Sequence, residues 1–162
     1  MKKKTENRNK LLDKKAFTIA GNPKKTYLPP KRLSVVPDFD FSPLDESHKR
    51  LEASAWKYEK ALAGIKKGVL SAENKSQVNQ LLREVEQAMT RSDGLPRRKW
   101  FKNMIYAPGF YTGYGVKTLP GIREGLEERN WDETHFYILE VAKALDRAAA
   151  KINAAADILK AG

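Results

Sequence analysis

The sequence predicts an all-α fold: a four-helix bundle-like domain with an N-terminal proline-rich strap and one long ordered loop rich in aromatic residues and glycine. Two observations predict this class. Three segments repeat their apolar residues in steps of three and four, the spacing that gives a helix one buried face. No segment alternates apolar and polar residues as a half-buried strand does. The helices are therefore expected to pack on one another, with the strap and the loop on their surface.

The composition is that of one globular domain large enough to bury a core. The chain has 162 residues, of which 41% are hydrophobic and 31% are charged. It contains no cysteine, so neither disulfides nor thiol chemistry is expected. No apolar run approaches the roughly 18–20 residues that span a bilayer, and the basic start has no apolar stretch behind it. We therefore expect no membrane span and no secretory signal in these residues.

The positive charge of the chain is concentrated at its N-terminus. The net charge is +11, and residues 1–34 hold eleven Lys and Arg against two acids, Glu6 and Asp13. The other residues, 35–162, are nearly neutral. We therefore divide the chain into a basic helix and strap (1–34) and a helical domain (35–162). A basic arm of this kind can bind nucleic acid or an anionic membrane, but it can equally be a solvated or partner-covered helix end.

The first half of the chain is predicted to hold the strap between two helices. Residues 4–20 form a short helix, and the proline-rich stretch up to Phe41 forms the strap. Ser42 is predicted to cap the next helix, which runs to Gly68. The expected buried stripe of that helix consists of Leu44, His48, Leu51, Ala55, Tyr58, Leu62 and Ile65.

The second half is predicted to hold three further helices. Ser71 begins one that closes at Gly94, a short helical piece covers 120–126, and Asn130 caps the last and longest helix. The buried stripe of the last helix alternates large residues with alanine, which lets a neighbouring helix approach closely. That stripe consists of Ile138, Ala142, Leu145, Ala149, Ile152, Ala156 and Leu159.

The segment from Leu95 to Ile122 is the most informative part of the sequence. Loops longer than about 12–15 residues inside a compact domain are usually functional or disordered. Disordered segments are poor in aromatic residues, whereas this one carries six. We therefore predict an ordered functional loop, anchored on the bundle by Trp100, Tyr106 and Phe110.

Three residues of this loop are the candidates for contact with a ligand. Tyr111, Tyr114 and Lys117 lie among glycines, which let the backbone turn sharply and approach a ligand closely. Tyrosine hydroxyls beside cations suit the recognition of a carboxylate through charge-assisted hydrogen bonds. Exposure to a ligand and burial in the bundle are both compatible with this pattern.

The sequence contains little that resembles catalytic chemistry. Of the two histidines, His48 lies on the predicted apolar stripe, and His135 has no second histidine or cysteine at a spacing that would complete a metal site. None of the common zinc-peptidase, phosphate-binding, nucleophile or dinucleotide motifs occurs. We therefore predict neither catalytic residues nor a metal site in this chain.

The loop and its surroundings resemble a known family. The motif IYAP at 105–108, an eleven-residue insert and PGI at 120–122 are similar to the C-terminal domain of the glutamate carboxypeptidases. This is the transferrin receptor-like dimerisation domain that accompanies zinc peptidases of the M28 family. The strap YLPPKRLSVVPDFDFSPL, the helix LEASAWKYEKAL and the alanine-rich last helix resemble the same domain.

The resemblance implies a role for both the bundle and the loop. In that family the bundle packs on the peptidase domain and forms much of a homodimer interface. The loop reaches the active site, where a Lys-Tyr pair holds the free carboxylate of the peptide substrate. The tyrosine corresponds to Tyr114, whereas Gly113 stands at the lysine position and Lys117 is close enough in sequence to supply a charge. The alanine-rich face of the last helix is then a candidate interface.

The resemblance also implies what this chain lacks. The two zinc ions and the catalytic carboxylate of the family belong to the peptidase domain. We therefore expect no catalysis and no cofactor in this chain alone, association with a peptidase domain of the same protein, and no nucleic-acid partner. Residues 1–34 would form the junction to that domain, and an extracytoplasmic location, periplasmic or secreted, is implied. Two other interpretations stay open: a nucleic-acid-binding helical module that uses the basic arm, and a stand-alone receptor-binding module.

Overall fold

The computed structural model describes residues 1–17, 28–65 and 70–161. These residues form five helices and one two-stranded sheet, and the chain divides into two compact units, Met1–Phe39 and Asp40–Gly162. The all-α prediction is confirmed. The elements are α1 (Lys2–Asp13), α2 (Ser42–Ala63), α3 (Ala72–Ala88), β1 (Tyr106–Pro108), β2 (Val116–Thr118), α4 (Pro120–Glu128) and α5 (Trp131–Ala161).

The first unit consists of α1 and the strap that runs back along it. The Asn9 side chain donates to the Leu33 carbonyl oxygen at 2.9 Å and accepts from the Leu33 amide at 3.1 Å. Arg32 pairs with Asp13 at 2.6 Å, so the strap is held at its backbone and by charge. The helix ends at Asp13, earlier than predicted, and the predicted residues 18–20 lie outside the described part of the chain.

The helix α2 differs from the prediction in its cap and in its buried face. Ser42 is the first helical residue rather than the cap, and its amide donates to the Asp40 carboxylate at 2.9 Å. The residues of α2 that are buried are Ser47, Ser54 and Ala61, seven apart. The predicted apolar stripe lies beside them and is half-buried or exposed. The reason is size: small residues let two helix backbones approach more closely than a row of leucines does.

The last helix, α5, forms the centre of the second unit. It is 31 residues long, and α2, α3 and α4 all pack on it. Its predicted stripe is confirmed as core, because every member is buried except the half-buried Ile152. Alanines such as Ala142, Ala149 and Ala156 are therefore used inside the bundle. The prediction that this alanine-rich face is an interface with another molecule is wrong.

The loop contains regular structure that the sequence did not predict. The strands β1 and β2 pair antiparallel, with Tyr106 opposite Thr118 and Pro108 opposite Val116. The expectation that strands are absent is therefore wrong within the loop. Each strand has only three residues, which is too short to produce a visible alternation of apolar and polar residues.

Candidate functional site

The first part of the loop is fixed to the end of α3. Leu95 and Met104 are almost completely buried, and the Met104 amide donates to the Met89 carbonyl oxygen at 3.0 Å. Gly94 turns the chain into this segment at φ +71°, where a Cβ would lie 2.1 Å from the Lys99 carbonyl oxygen. Only glycine fits this turn, because both its φ and the nearby Lys99 backbone exclude a side chain.

The middle of the loop is a compact turn between β1 and β2. The Gly109 amide donates to the Gly115 carbonyl oxygen at 2.9 Å, and the Gly113 amide donates to the Gly109 carbonyl oxygen at 3.0 Å. Gly113 has φ +61°, and no atom lies within 4 Å of the place where its Cβ would be. The turn is therefore closed by its own backbone and faces open space at its tip.

Two of the three predicted ligand-contact residues lie on this turn and are exposed. Tyr114 is fully exposed, and Tyr111 is 71% exposed. A hydrogen bond with the Glu128 carboxylate raises the pKa of the Tyr111 hydroxyl. Both phenol rings are thus available at the tip, and that of Tyr114 is the more accessible.

The third predicted residue, Lys117, is in a different situation. Its side chain is largely buried, and its Nζ atom lies 2.5 Å from an oxygen of Glu127 on α4. The ammonium group is therefore already engaged in an ion pair. A ligand carboxylate would have to compete with Glu127 for it.

The predicted anchors of the loop are only partly confirmed. Trp100 is 73% exposed, so its assignment as an anchor is wrong. Tyr106 is half-exposed, but its hydroxyl donates to Glu86 of α3 at 2.7 Å and holds β1 in that way. Phe110 also keeps more than a third of its surface exposed, and its ring centroid lies 5.7 Å from Cζ of Arg98. Of these three residues, only Tyr106 and Phe110 are therefore in contact with the rest of the structure in the way described.

A buried ion pair that the sequence did not reveal holds the loop against α4. Arg98 donates through Nη1 and Nη2 to the two carboxylate oxygens of Glu124, both at 2.8 Å. Oε1 of Glu124 also accepts from the Phe110 amide at 3.0 Å. Glu124 is completely buried and Arg98 nearly so. Burial alone would raise the pKa of Glu124, but the Arg98 and Phe110 hydrogen bonds outweigh it and hold that pKa below its ordinary value.

Two glycines on α4 explain why this carboxylate is buried. A Cβ on Gly121 would lie 2.3 Å from the Tyr137 ring, and a Cβ on Gly125 would lie 2.6 Å from Oγ1 of Thr134. The helix α4 therefore packs on α5 at a distance that only glycine permits, and Glu124 is buried next to Gly125. In the sequence, two glycines four residues apart in a short helix were the available sign of this close packing. The burial of Glu124 was still missed, because helical carboxylates are most often found on solvated faces.

The remaining candidates do not form a metal site. His48 is exposed, and Nδ1 of His135 lies 3.0 Å from the Trp131 carbonyl oxygen. Among the residues that the structure describes, no three His, Cys, Asp or Glu side chains are grouped as metal ligands. None of the described helices is both long enough and apolar enough to cross a membrane.

The comparison with protein families decides the identity of the second unit. The family model of the transferrin receptor-like dimerisation domain matches residues 39–153, which include α2, α3, the whole loop and most of α5. The chain belongs to this family. The resemblance that the loop motif predicted is thereby confirmed.

Two relatives of this dimerisation domain are described as probable glutamate carboxypeptidases. LAMP1 of Arabidopsis thaliana is 29% identical over 118 residues, which are 68% of this chain and 17% of the plant protein. A protein of the fungus Arthroderma benhamiae is 28% identical over 124 residues, which are 76% of this chain and 17% of the fungal protein. The chain thus spans about a sixth of the length of these relatives.

Proposed function

We propose that this chain is the non-catalytic dimerisation and substrate-recognition domain of a zinc peptidase related to the glutamate carboxypeptidases. The observation that carries the proposal is the family match over the bundle and the loop together. In this proposal the domain packs on a peptidase domain, which holds the two zinc ions and the catalytic groups. The bundle joins two copies of the protein, and the loop contributes to the active site.

The exposed side of α2 is the proposed interface with a second copy. Trp56 is 71% exposed and Leu62 is 51% exposed, and Ala55, directly before Trp56, is also exposed. A homodimer interface buries a core of aromatic and aliphatic side chains, and tryptophan is enriched among the residues that dominate binding. The alanine face of α5 is unavailable for this purpose because it is buried inside the bundle.

Light scattering coupled to size-exclusion chromatography tests the interface. The chain has a mass of 18.4 kDa, and we expect a species of twice that mass at micromolar concentration. Trp56→Ser should shift the equilibrium to monomer. Trp100→Ser is the matched control, because Trp100 is equally exposed but lies in the loop. A monomer for the unchanged chain at high concentration, or equal effects of the two substitutions, would contradict the proposed interface.

The exposed turn is the proposed contact with the peptide substrate. Tyr114 is fully exposed on the turn, and Tyr111 is less exposed, with its hydroxyl bonded to Glu128. Lys117 is paired with Glu127, so the Tyr114 hydroxyl is the proposed donor to the substrate. Lys117 contributes only if a ligand displaces Glu127.

The role of the loop is tested by peptidase kinetics. The protein measured is the one in which this domain is joined to its peptidase domain. Tyr114→Phe removes one hydroxyl from an exposed side chain, so folding should be unchanged. The loss of a hydrogen bond to a charged group should raise KM by about tenfold to a hundredfold. Tyr58→Phe in α2 is the control, since it makes the same chemical change inside the bundle. Identical kinetics for the two variants would remove Tyr114 from the site.

A second candidate function rests on the exposed face of α1. This helix lies outside the residues that the family model matches, and it carries five exposed cations. They are Lys2, Lys3, Lys4, Arg8 and Lys10. If the arm binds nucleic acid, affinity should fall steeply with salt and should disappear when residues 2–32 are removed. An electrophoretic shift assay with and without the arm discriminates the two functions.

A further inference from the structure

The turn that carries Tyr111 and Tyr114 is closed by its own hydrogen bonds, which fix its shape but not its direction. The bonds between Gly109, Gly113 and Gly115 are all internal to it. Its direction relative to the bundle requires a contact from outside the turn. The Phe110 amide makes the main-chain contact of this kind, with the buried carboxylate of Glu124 at 3.0 Å, and the exposed Tyr111 side chain adds a bond to Glu128 of the same helix.

Glu124 joins three parts of the chain that are distant in sequence. Its two oxygens accept from Arg98, 26 residues earlier in the first part of the loop, and from the amide of Phe110, 14 residues earlier in the turn. Glu124 itself belongs to α4, which the glycine contacts press against α5. The guanidinium fork of Arg98 fixes both carboxylate oxygens, so the acceptor offered to Phe110 has one orientation.

We propose that Glu124 is a positioning residue for the recognition loop: held by Arg98, it orients the turn through the Phe110 amide and thereby places Tyr111 and Tyr114. The consequence for substrate binding rests on the proposed function of the loop. The orientation itself is a property of this chain and is measurable without any substrate.

Hydrogen exchange of single backbone amides tests the orientation directly. In the unchanged chain, the Phe110 amide should be protected from exchange even though the turn is on the surface. An exchange rate equal to that of an unstructured peptide would overturn the proposal. This measurement needs no variant, so it decides even where a variant fails to fold.

A double variant, Arg98→Leu with Glu124→Leu, removes the acceptor of the Phe110 amide without leaving an unpaired buried charge. Replacing both partners by apolar residues often preserves stability, whereas removing one does not. We expect a folded protein in which the Phe110 and Gly113 amides exchange about tenfold faster or more, with α5 unchanged.

The control removes another ion pair in the same way. Lys151→Leu with Glu84→Leu eliminates a pair between α5 and α3 that has an N–O distance of 2.6 Å. This control should leave the Phe110 amide protected. Unchanged exchange in a folded Arg98/Glu124 double variant, or equal acceleration in the control, would show that Glu124 does not orient the turn.

Kinetics separate this proposal from the proposed function. In the complete peptidase, the Arg98/Glu124 double variant should raise KM severalfold and leave kcat unchanged, because the reacting groups lie in another domain. If amide exchange accelerates but neither this variant nor Tyr114→Phe changes KM, the recognition role fails and the positioning role stands. If Tyr114→Phe raises KM but amide exchange does not respond to the double variant, the positioning role fails.

Discussion

At the scale of single residues, glycines decide how the loop packs on the bundle. Gly121 and Gly125 let α4 lie against Tyr137 and Thr134 of α5, and Gly94 lets the chain turn beneath Lys99. The close approach of α4 buries a glutamate that would be solvated on an ordinary helix. The sequence showed the glycines but not their neighbours, so the ion pair of the loop could not be predicted.

Gly121→Ala is expected to destabilise the domain. Its new Cβ would lie 2.3 Å from the Tyr137 ring, so α4 or the ring must move. Overpacking of this kind typically costs about 1–3 kcal/mol, against a gain of up to about 1 kcal/mol in helix propensity. We expect the free energy of unfolding, measured by urea denaturation, to fall by about 1–2 kcal/mol.

Gly64→Ala is the control for this substitution. Gly64 follows α2 in an ordinary helical conformation, and the atoms nearest to a new Cβ are 3.5 and 3.6 Å away. Its replacement should leave the free energy of unfolding unchanged or raise it by less than about 1 kcal/mol. Equal destabilisation by both substitutions would contradict the contact argument.

At the scale of elements, the predictions were right where a local signal decides the outcome. Ser71 marks the start of α3 as predicted, here as its cap, with its hydroxyl accepting from the Asn74 amide at 3.1 Å. Asn130 caps α5 as predicted, through the Glu133 amide at 3.2 Å. The prediction for the buried face of α2 was wrong, because spacing alone cannot tell which of two adjacent stripes meets the partner helix. The stripe of small residues that includes Ser54 does so.

Ser71→Ala tests the cap of α3. The substitution leaves one amide of the first turn without its acceptor, which typically costs about 0.5–2 kcal/mol. Ser76→Ala, in the exposed middle of the same helix, should instead stabilise it slightly because alanine is the better helix former. Opposite shifts in melting temperature are expected, and shifts of the same sign would contradict this assignment of the cap.

At the scale of the whole molecule, the sequence predicted the helical class, the family and an ordered loop, but not whether the turn is exposed or buried. These depended on periodicity and on one motif, both of which are local. The electrostatic environment of the site was not predictable, because Lys117 with Glu127 and Arg98 with Glu124 are pairs that only the fold brings together. Arg98 and Lys117, both close to the tyrosines in sequence, are therefore already paired with carboxylates of α4.

The stability of the molecule should fall in acid. Glu124 has a lowered pKa because its hydrogen bonds outweigh its burial, and Asp93, Glu84 and Asp157 have lowered pKa values because Arg91, Lys151 and Lys57 donate to them. A carboxyl group whose pKa is lowered in the native state stabilises the fold at pH values above its ordinary pKa. This contribution disappears as the pH falls through the native pKa. The melting temperature should therefore decrease between about pH 5 and pH 2. A constant or rising melting temperature in that range would contradict the shifts.

If the turn contacts the substrate as proposed, its attachment also bears on how specificity can change over evolution. The turn is closed through main-chain atoms of Gly109, Gly113 and Gly115, and Glu124 holds it by the main chain of Phe110. No side chain from 111 to 114 contributes to these bonds. Substitution of the fully exposed Tyr114 can therefore alter what the turn contacts while its frame persists, whereas Gly113, at φ +61°, and Tyr111, bonded to Glu128, belong to that frame.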